Sequence, residues 1–84
     1  MQILEPVATY DRRKRGSLVV TLNQYLDEDL SAVATARSLG IHRHTFDYRL
    51  RQIEELSDRS LSDLTGRMLI EASVLARRLD QADL

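Results

Sequence analysis

The sequence predicts an all-α fold of about four helices in one domain. Apolar residues recur three or four positions apart, which is the period of an amphipathic helix. Nowhere do Val, Ile, Thr and aromatic residues alternate with polar ones over the length of a strand. Ser residues, which suit helix N-caps, precede the apolar stretches. Gly40, which suits a helix C-terminus, follows the second of these stretches. The 84 residues suffice for a single domain only.

The first 16 residues are predicted to be a lead-in or linker segment, with the folded domain over 17–84. Pro6 discourages helix, and the polar run at 12–15 ends in Gly16, a helix breaker. A first helix is predicted over 17–26, with Ser17 as its N-cap.

The second and third helices are predicted over 31–39 and 42–56. Ser31 is the expected N-cap of the second helix, and Gly40 supplies the positive φ that ends it. The second helix is rich in small residues, as a helix must be if another backbone packs close to it. On the third helix the buried stripe is formed by Phe46, Leu50 and Ile53.

A fourth helix is predicted over 62–79, after a loop. Gly66 near its start disfavours helix by about 1 kcal/mol relative to Ala, which blurs that boundary. Its inward face is predicted to carry Leu64, Met68, Ala72, Leu75 and Leu79.

The second and third helices, with the short turn at Gly40 and Ile41, have the layout of a helix-turn-helix. Ala36 permits close approach of the two helices, and Ile41 plugs their junction. This arrangement makes the N-terminal half of the third helix project outward, with a shape that fits the major groove of duplex DNA. A short helical hairpin with a Gly turn is also common in helical domains of any function.

The outward face of the third helix has side chains suited to DNA. Residues 42–53 contain three Arg and one Asp, although the net charge of the whole chain is −1. The predicted base-contacting residues are Arg43, His44, Asp47, Tyr48 and Arg51. The predicted backbone-contacting residues are Ser31, Thr35, Thr45 and Arg49. Ser31 and Thr45 lie near helix N-termini, whose free N–H groups favour phosphate oxygens.

Two further features of the sequence bear on ligand binding. The His42 and His44 side chains diverge on a helix, so no metal site is expected. The basic run at 12–15 is either a solvated linker or an arm that touches the DNA backbone.

The sequence gives no sign of enzyme activity. The absence of Cys excludes disulfides and thiol chemistry, and no catalytic constellation or cofactor motif is recognisable. No apolar run is long enough to span a membrane, and a cytoplasmic location is predicted.

The run ATARSLGIHRHTFDYRL at 34–50, continued by IEEL at 53–56, closely resembles the C-terminal helix-turn-helix domain of the PucR/CdaR regulators. These are bacterial transcription factors of purine catabolism and sugar-diacid use. The resemblance extends to the predicted first helix and to residues 4–11. A looser similarity to the Fis-type DNA-binding hairpin covers only the second and third helices.

The resemblance implies a sequence-specific DNA-binding module at the C-terminus of a longer, one-component transcriptional regulator, with a sensory region ahead of it. It gives no operator, because His44 and Asp47 stand where the family commonly has Asn and Arg. Asp47 could accept from cytosine N4, or pair with Arg43 or Arg51. Asp58 also replaces a frequent Gly after the third helix. The alternative function is a helical protein-interaction module without DNA affinity.

Self-association through the last helix is a further hypothesis. Ile70 and Val74 lie one turn apart, on the side opposite its predicted inward stripe. A homodimer contact is one interpretation of this second apolar strip. The others are that the first helix or the lead-in residues Ile3 and Leu4 cover it, or that it met the missing sensory region.

Overall fold

The structure, a computed structural model, describes residues 3–82, and these residues form five α-helices and no strand. The all-α prediction is confirmed for these residues, but the count of about four helices is wrong. The five helices are α1 (Glu5–Lys14), α2 (Leu18–Asp27), α3 (Ala32–Leu39), α4 (Arg43–Ser57) and α5 (Leu64–Ala82). The predicted second and third helices correspond to α3 and α4.

The additional helix is α1, so the expectation that Pro6 keeps the lead-in out of helix is wrong. Pro6 occupies the first turn, where the missing N–H has no intrahelical partner to lose. Glu5 at the start and basic residues in the last turn match the helix dipole. Ile3, Leu4 and Val7 are buried in the same core as α2, α4 and α5. The domain boundary at residue 16 stays a prediction.

The start of α2 is capped by a side chain from α1. The two carboxylate oxygens of Asp11 accept hydrogen bonds from the backbone N–H groups of Leu18 and Val19, each at 2.9 Å. Ser17 stands at the N-cap position, but its side chain makes no capping hydrogen bond, which corrects the sequence prediction. A Cβ at Gly16 would lie only 2.7 Å from Asp11 Oδ1, so this capping arrangement needs Gly there.

We expect Asp11→Ala to lower the free energy of unfolding by about 1–2 kcal/mol, the usual cost of losing a helix cap. Ser17→Ala is the control, and it should be close to neutral because the Ser17 hydroxyl does not cap α2. Urea unfolding followed by circular dichroism measures both. A larger loss in the Ser17 variant than in the Asp11 variant would contradict this assignment.

The turn between α2 and α3 is held by Glu28, the C-cap residue of α2. Its carboxylate accepts hydrogen bonds from the Ser38 hydroxyl and from the Gln24 amide. These two donors, Ser38 first, lower the pKa of the Glu28 carboxyl. Asp29 and Leu30 then take left-handed backbone conformations before α3 begins. Ser31 caps α3 as predicted, since its hydroxyl accepts from the Ala34 N–H at 3.1 Å.

The loop from α4 to α5 depends on Asp58, Glu54 and Gly66. Asp58 adopts φ +56° at the end of α4, so an Asp does there what Gly commonly does. The Glu54 carboxylate accepts from the Leu61 N–H at 2.8 Å, which fixes the loop to α4. A Cβ at Gly66 would overlap the Ser60 carbonyl oxygen, so Gly66 permits close approach of loop and helix.

The predicted register of the last helix is wrong. Ile70 is 0% exposed and Val74 is 2% exposed, and both pack in the core with Ile3 and Leu4. A homodimer through Ile70 and Val74 is therefore excluded in the folded chain, and the alternative of cover by the lead-in agrees with the structure. The residues predicted to face inward are exposed, namely Leu64, Met68, Ala72, Leu75 and Leu79.

The position of α5 is further fixed by Arg78. Its guanidinium donates to the Asn23 side-chain oxygen at 2.8 Å and pairs with the Asp27 carboxylate at 3.1 Å. Both partners lie on α2, so these contacts hold α5 alongside that helix. Within residues 3–82, none of the five helices has the length and apolar character needed to cross a membrane.

Candidate nucleic-acid interface

The turn between α3 and α4 consists of Gly40, Ile41 and His42. Gly40 has φ +66°, as predicted, and nothing crowds the place of its missing Cβ. Gly is therefore needed here for its backbone conformation rather than for space. The N–H of Ile41 donates to the Ala36 carbonyl at 3.0 Å, which closes the C-terminus of α3.

The buried side of α4 determines which of its side chains face outward. Phe46 and Ile53 are both fully buried, as the sequence predicts, and Leu50 packs against the core. The Phe46 ring meets the ring of Tyr25 on α2, with centroids 5.1 Å apart. Burial, and then the charge of Glu54, raises the pKa of Tyr25. These contacts fix the rotation of α4 about its axis.

The opposite side of α4 carries His44, Tyr48 and Arg51, which are all exposed. They lie at i, i+4 and i+7, within one narrow face of the helix. Tyr48 leaves 56% of its surface to solvent, which is high for an aromatic residue. Among residues 3–82, Arg51 makes no hydrogen bond or ion pair, so its guanidinium is open to a ligand.

Arg43 and Asp47 form an ion pair on this face, with 3.1 Å between Arg43 Nε and Asp47 Oδ1. The Arg43 and Asp47 side chains are 56% and 40% exposed, so solvent screens the pair and it contributes little to stability. The pair does offset the negative charge of Asp47, the residue that least suits a phosphate-lined groove. It corresponds to one of the alternatives that the sequence left open for Asp47.

The N-terminus of α4 suits an anion. His42 stands at the N-cap position but its side chain makes no capping hydrogen bond. The first backbone N–H of α4 that bonds within the helix is that of Phe46, which donates to His42 O at 3.1 Å. The N–H groups of the preceding turn, which includes half-buried Thr45, are thus free of intrahelical partners and point along the helix axis.

The predicted backbone-contacting residues occupy different environments. Ser31 and Arg49 are both half-buried, and Arg49 donates to the Thr21 hydroxyl of α2 at 3.1 Å. Thr35 does not fit the predicted role, because it is 0% exposed and cannot reach a phosphate. Its hydroxyl donates to the Ser31 carbonyl at 2.6 Å within α3, which satisfies this polar group in the core.

Sequence reasoning missed a groove of about 300 Å³ between the α1–α2 turn and α4. Exposed Arg15 and the start of α2 lie there beside residues of the predicted interface. The groove is lined by Tyr10, Arg15, Gly16, Ser17, Leu18, Thr45, Tyr48, Arg49 and Gln52. The signal in the sequence was the basic run at 12–15, of which Arg12 is instead paired with Glu5 at 3.2 Å on α1.

Comparison with known proteins gives a consistent family. The model of the PucR C-terminal helix-turn-helix domain matches residues 18–76. The chain is 26% identical over 77 residues to the DNA-binding transcriptional activator AdeR of Bacillus subtilis (strain 168), which covers 92% of this chain and 18% of the relative. No solved structure matches the chain significantly.

Two further relatives are regulators as well. The chain is 38% identical over 63 residues to the purine catabolism regulatory protein of Bacillus subtilis (strain 168), which covers 75% of this chain and 12% of the relative. It is 35% identical over 66 residues to the carbohydrate diacid regulator of Escherichia coli (strain K12), which covers 79% of this chain and 16% of the relative. The chain thus spans less than a fifth of the length of each of these three relatives.

Proposed function

Because this chain belongs to the family of the PucR C-terminal helix-turn-helix domain, we propose that it binds duplex DNA sequence-specifically as the output domain of a transcriptional regulator. α4 is the recognition helix, and its N-terminal half enters the major groove. The observation that carries this proposal is the single exposed face of His44, Tyr48 and Arg51, whose direction is set by the buried Phe46 and Ile53 on the other side of α4.

Base reading falls to this face of α4. The Arg51 guanidinium is planar, carries five N–H donors and suits bidentate hydrogen bonding to guanine O6 and N7. Within residues 3–82 none of these donors makes a hydrogen bond. His44 and Tyr48 reach the same groove floor through their ring and hydroxyl hydrogen-bonding groups. Asp47 either stays paired with Arg43 or turns to accept from cytosine N4, while Arg43 follows the groove edge.

Phosphate contacts fix the register of α4 on the duplex. The free N–H groups at the start of α4, with Thr45, suit one phosphate, and the N-terminus of α3 at Ser31 suits another. Arg49 adds a cation at the side, held by Thr21. Arg15 joins this set, since it lines the groove beside Thr45 and Arg49.

The relatives are regulators several times longer than this chain, which supports a larger protein around the domain. We propose that a sensory region precedes the domain in that protein and that its effector controls DNA occupancy. A bacterial regulator of this kind acts in the cytoplasm, where the DNA is.

We expect Arg51→Ala to weaken binding to the preferred duplex by about 1–3 kcal/mol and to relax the preference at one base position. Arg49→Ala should instead weaken binding to all sequences alike and flatten the dependence of affinity on salt. Selection from a random duplex pool, followed by titration of the selected duplex at two salt concentrations, measures both effects.

Arg77→Ala is the matched control, because it removes the same charge from α5 instead of from α4. If Arg51→Ala matched this control in both affinity and preference, the α4 face would not be the reading surface. If the wild type bound no duplex even at low salt, the proposed function would fail.

The second candidate is a helical protein-interaction module. The observation that favours it is the exposed apolar face of α5, which is unusual for a helix of an isolated domain. Arg51 favours DNA instead, because it has no ion-pair partner within residues 3–82, whereas Arg43 is paired with Asp47 and Arg49 donates to Thr21.

A further inference from the structure

The last helix exposes a continuous apolar face, here called the outer face of α5. It consists of Leu64, Met68, Leu75 and Leu79, each between 56 and 68% exposed, together with the small exposed residues Ala72 and Ala82. At 100° per residue these six positions fall within an arc of about 80°. The buried residues Gly66, Ile70 and Val74 lie on the opposite side of the same helix.

The size of the outer face is that of an interaction surface. Its four large side chains expose on the order of 400 Å² of mostly apolar area, within the range of the largest patch on a typical monomer. Two such faces together approach the roughly 1,000 Å² that a specific interface needs. The helix runs for 19 residues, so one partner helix can cover the face along its whole length.

The spacing of the outer face is that of a helix pair. Thr65, which borders the outer face, Ala72 and Leu79 fall seven residues apart, and so do Met68, Leu75 and Ala82, while Leu64 lies one position before Thr65. These two sets are the a and d positions of a heptad pattern. Two of the three a positions hold the small residues Thr and Ala, which let a partner backbone approach closely. They also limit the apolar area that association buries.

The charges beside the outer face favour an antiparallel over a parallel orientation of a partner helix. In the same heptad Glu71 and Arg78 are both g positions, and they lie on one flank. When two copies of α5 run antiparallel with Met68 opposite Leu79 and Ala72 opposite Leu75, Glu71 of each copy comes beside Arg78 of the other. A parallel pair would place Glu71 beside Ala76 instead, without an opposite charge.

We propose that the outer face of α5 pairs with the same face of a second copy of this chain, in an antiparallel and two-fold symmetric arrangement. The contact buries the a and d residues and is flanked by two Glu71–Arg78 pairs. The contacts of Arg78 within its own chain use Nε and Nη2, so the geometry leaves Nη1 for the partner copy. This proposal does not depend on DNA binding.

Sedimentation equilibrium of the wild type from about 10 to 500 μM tests the proposal. The expected result is a concentration-dependent rise from 9.6 kDa toward twice that mass, with a dissociation constant on the order of 100 μM. The double variant Met68→Glu, Leu75→Glu should stay monomeric over this range. Val20→Glu is the control, since Val20 is as exposed as Met68 but lies on α2, and it should associate like the wild type.

Glu71→Arg tests the antiparallel direction. It places a like charge beside Arg78 of the partner copy twice per dimer, so it should weaken association about tenfold, and Glu71→Gln should weaken it less. Circular dichroism confirms that each variant is folded. A wild type that stays monomeric at 500 μM, or an association unaffected by the double variant, overturns the proposal. In the first case another occupant, such as the rest of the longer protein, covers the face.

Discussion

Ile70→Glu is expected to unfold the domain, whereas Met68→Glu leaves its stability nearly unchanged. Ile70 is 0% exposed in the core, and within residues 3–82 no Lys or Arg is among the buried residues. A carboxylate there would be buried without a partner, at a cost above about 4 kcal/mol. A domain of this size has a free energy of unfolding of only about 5–10 kcal/mol, so little would remain.

The comparison is made by urea unfolding at a protein concentration below about 10 μM, where self-association contributes little. Met68 is 60% exposed, and Glu suits an exposed helix position, so a change within about 0.5 kcal/mol is expected. The register predicted from sequence gives the opposite order. A folded Ile70→Glu variant together with an unfolded Met68→Glu variant would restore that register and remove the outer face of α5.

This pair of substitutions shows why sequence reasoning failed at α5. The helix has two apolar sides, and the outer one carries more large residues than the side with Ile70 and Val74. Hydrophobic periodicity identifies an apolar face but does not tell which face the rest of the chain covers. Gly66 was the available signal, because it shares a side with Ile70 and its missing Cβ admits the Ser60 backbone.

Other features could be predicted because a local rule was sufficient. Gly40 takes the left-handed conformation, Ser31 caps α3, and Phe46 and Ile53 are buried on one side of α4. Each of these depends on neighbouring residues in the chain. The Asp11 cap on α2 could not be predicted in the same way, because it joins residues seven and eight positions apart across a turn.

At the candidate site too, features set by neighbouring residues could be predicted, and features that depend on distant parts of the chain could not. The exposed face of α4 follows from helical spacing once the buried stripe is known, so the exposure of His44, Tyr48 and Arg51 could be predicted from the sequence, while their contacts with DNA stay a prediction. Thr35 was misassigned because a Thr near a helix start fits either a phosphate or the preceding carbonyl, and here the Ser31 carbonyl takes its hydroxyl. The sequence left the basic run at 12–15 open between a solvated linker and an arm that touches DNA, because the place of Arg15 beside α4 depends on α1, which was not predicted.

Phe46→Ala is expected to lower the free energy of unfolding by about 3–5 kcal/mol. Phe46 is the only Phe of the chain, and its side chain is fully buried. From α4 it packs against the ring of Tyr25 on α2. Its removal leaves a cavity and also ends the aromatic contact with Tyr25, which itself contributes about 0.5–1.5 kcal/mol. Thermal and urea unfolding of the variant measure the loss.

Tyr48→Ala on the same helix is the control, since Tyr48 is exposed and its loss should leave the free energy of unfolding within about 0.5 kcal/mol of the wild type. Together the two variants separate the two sides of α4. Phe46→Ala should reduce DNA binding only in proportion to the unfolded fraction, so stabilising the fold by an osmolyte should restore it. Tyr48→Ala should reduce DNA binding in a fully folded protein. A melting temperature lowered by only one or two degrees in Phe46→Ala would mean that this ring does not hold α4, and the proposed orientation of its exposed face with His44, Tyr48 and Arg51 would then be wrong.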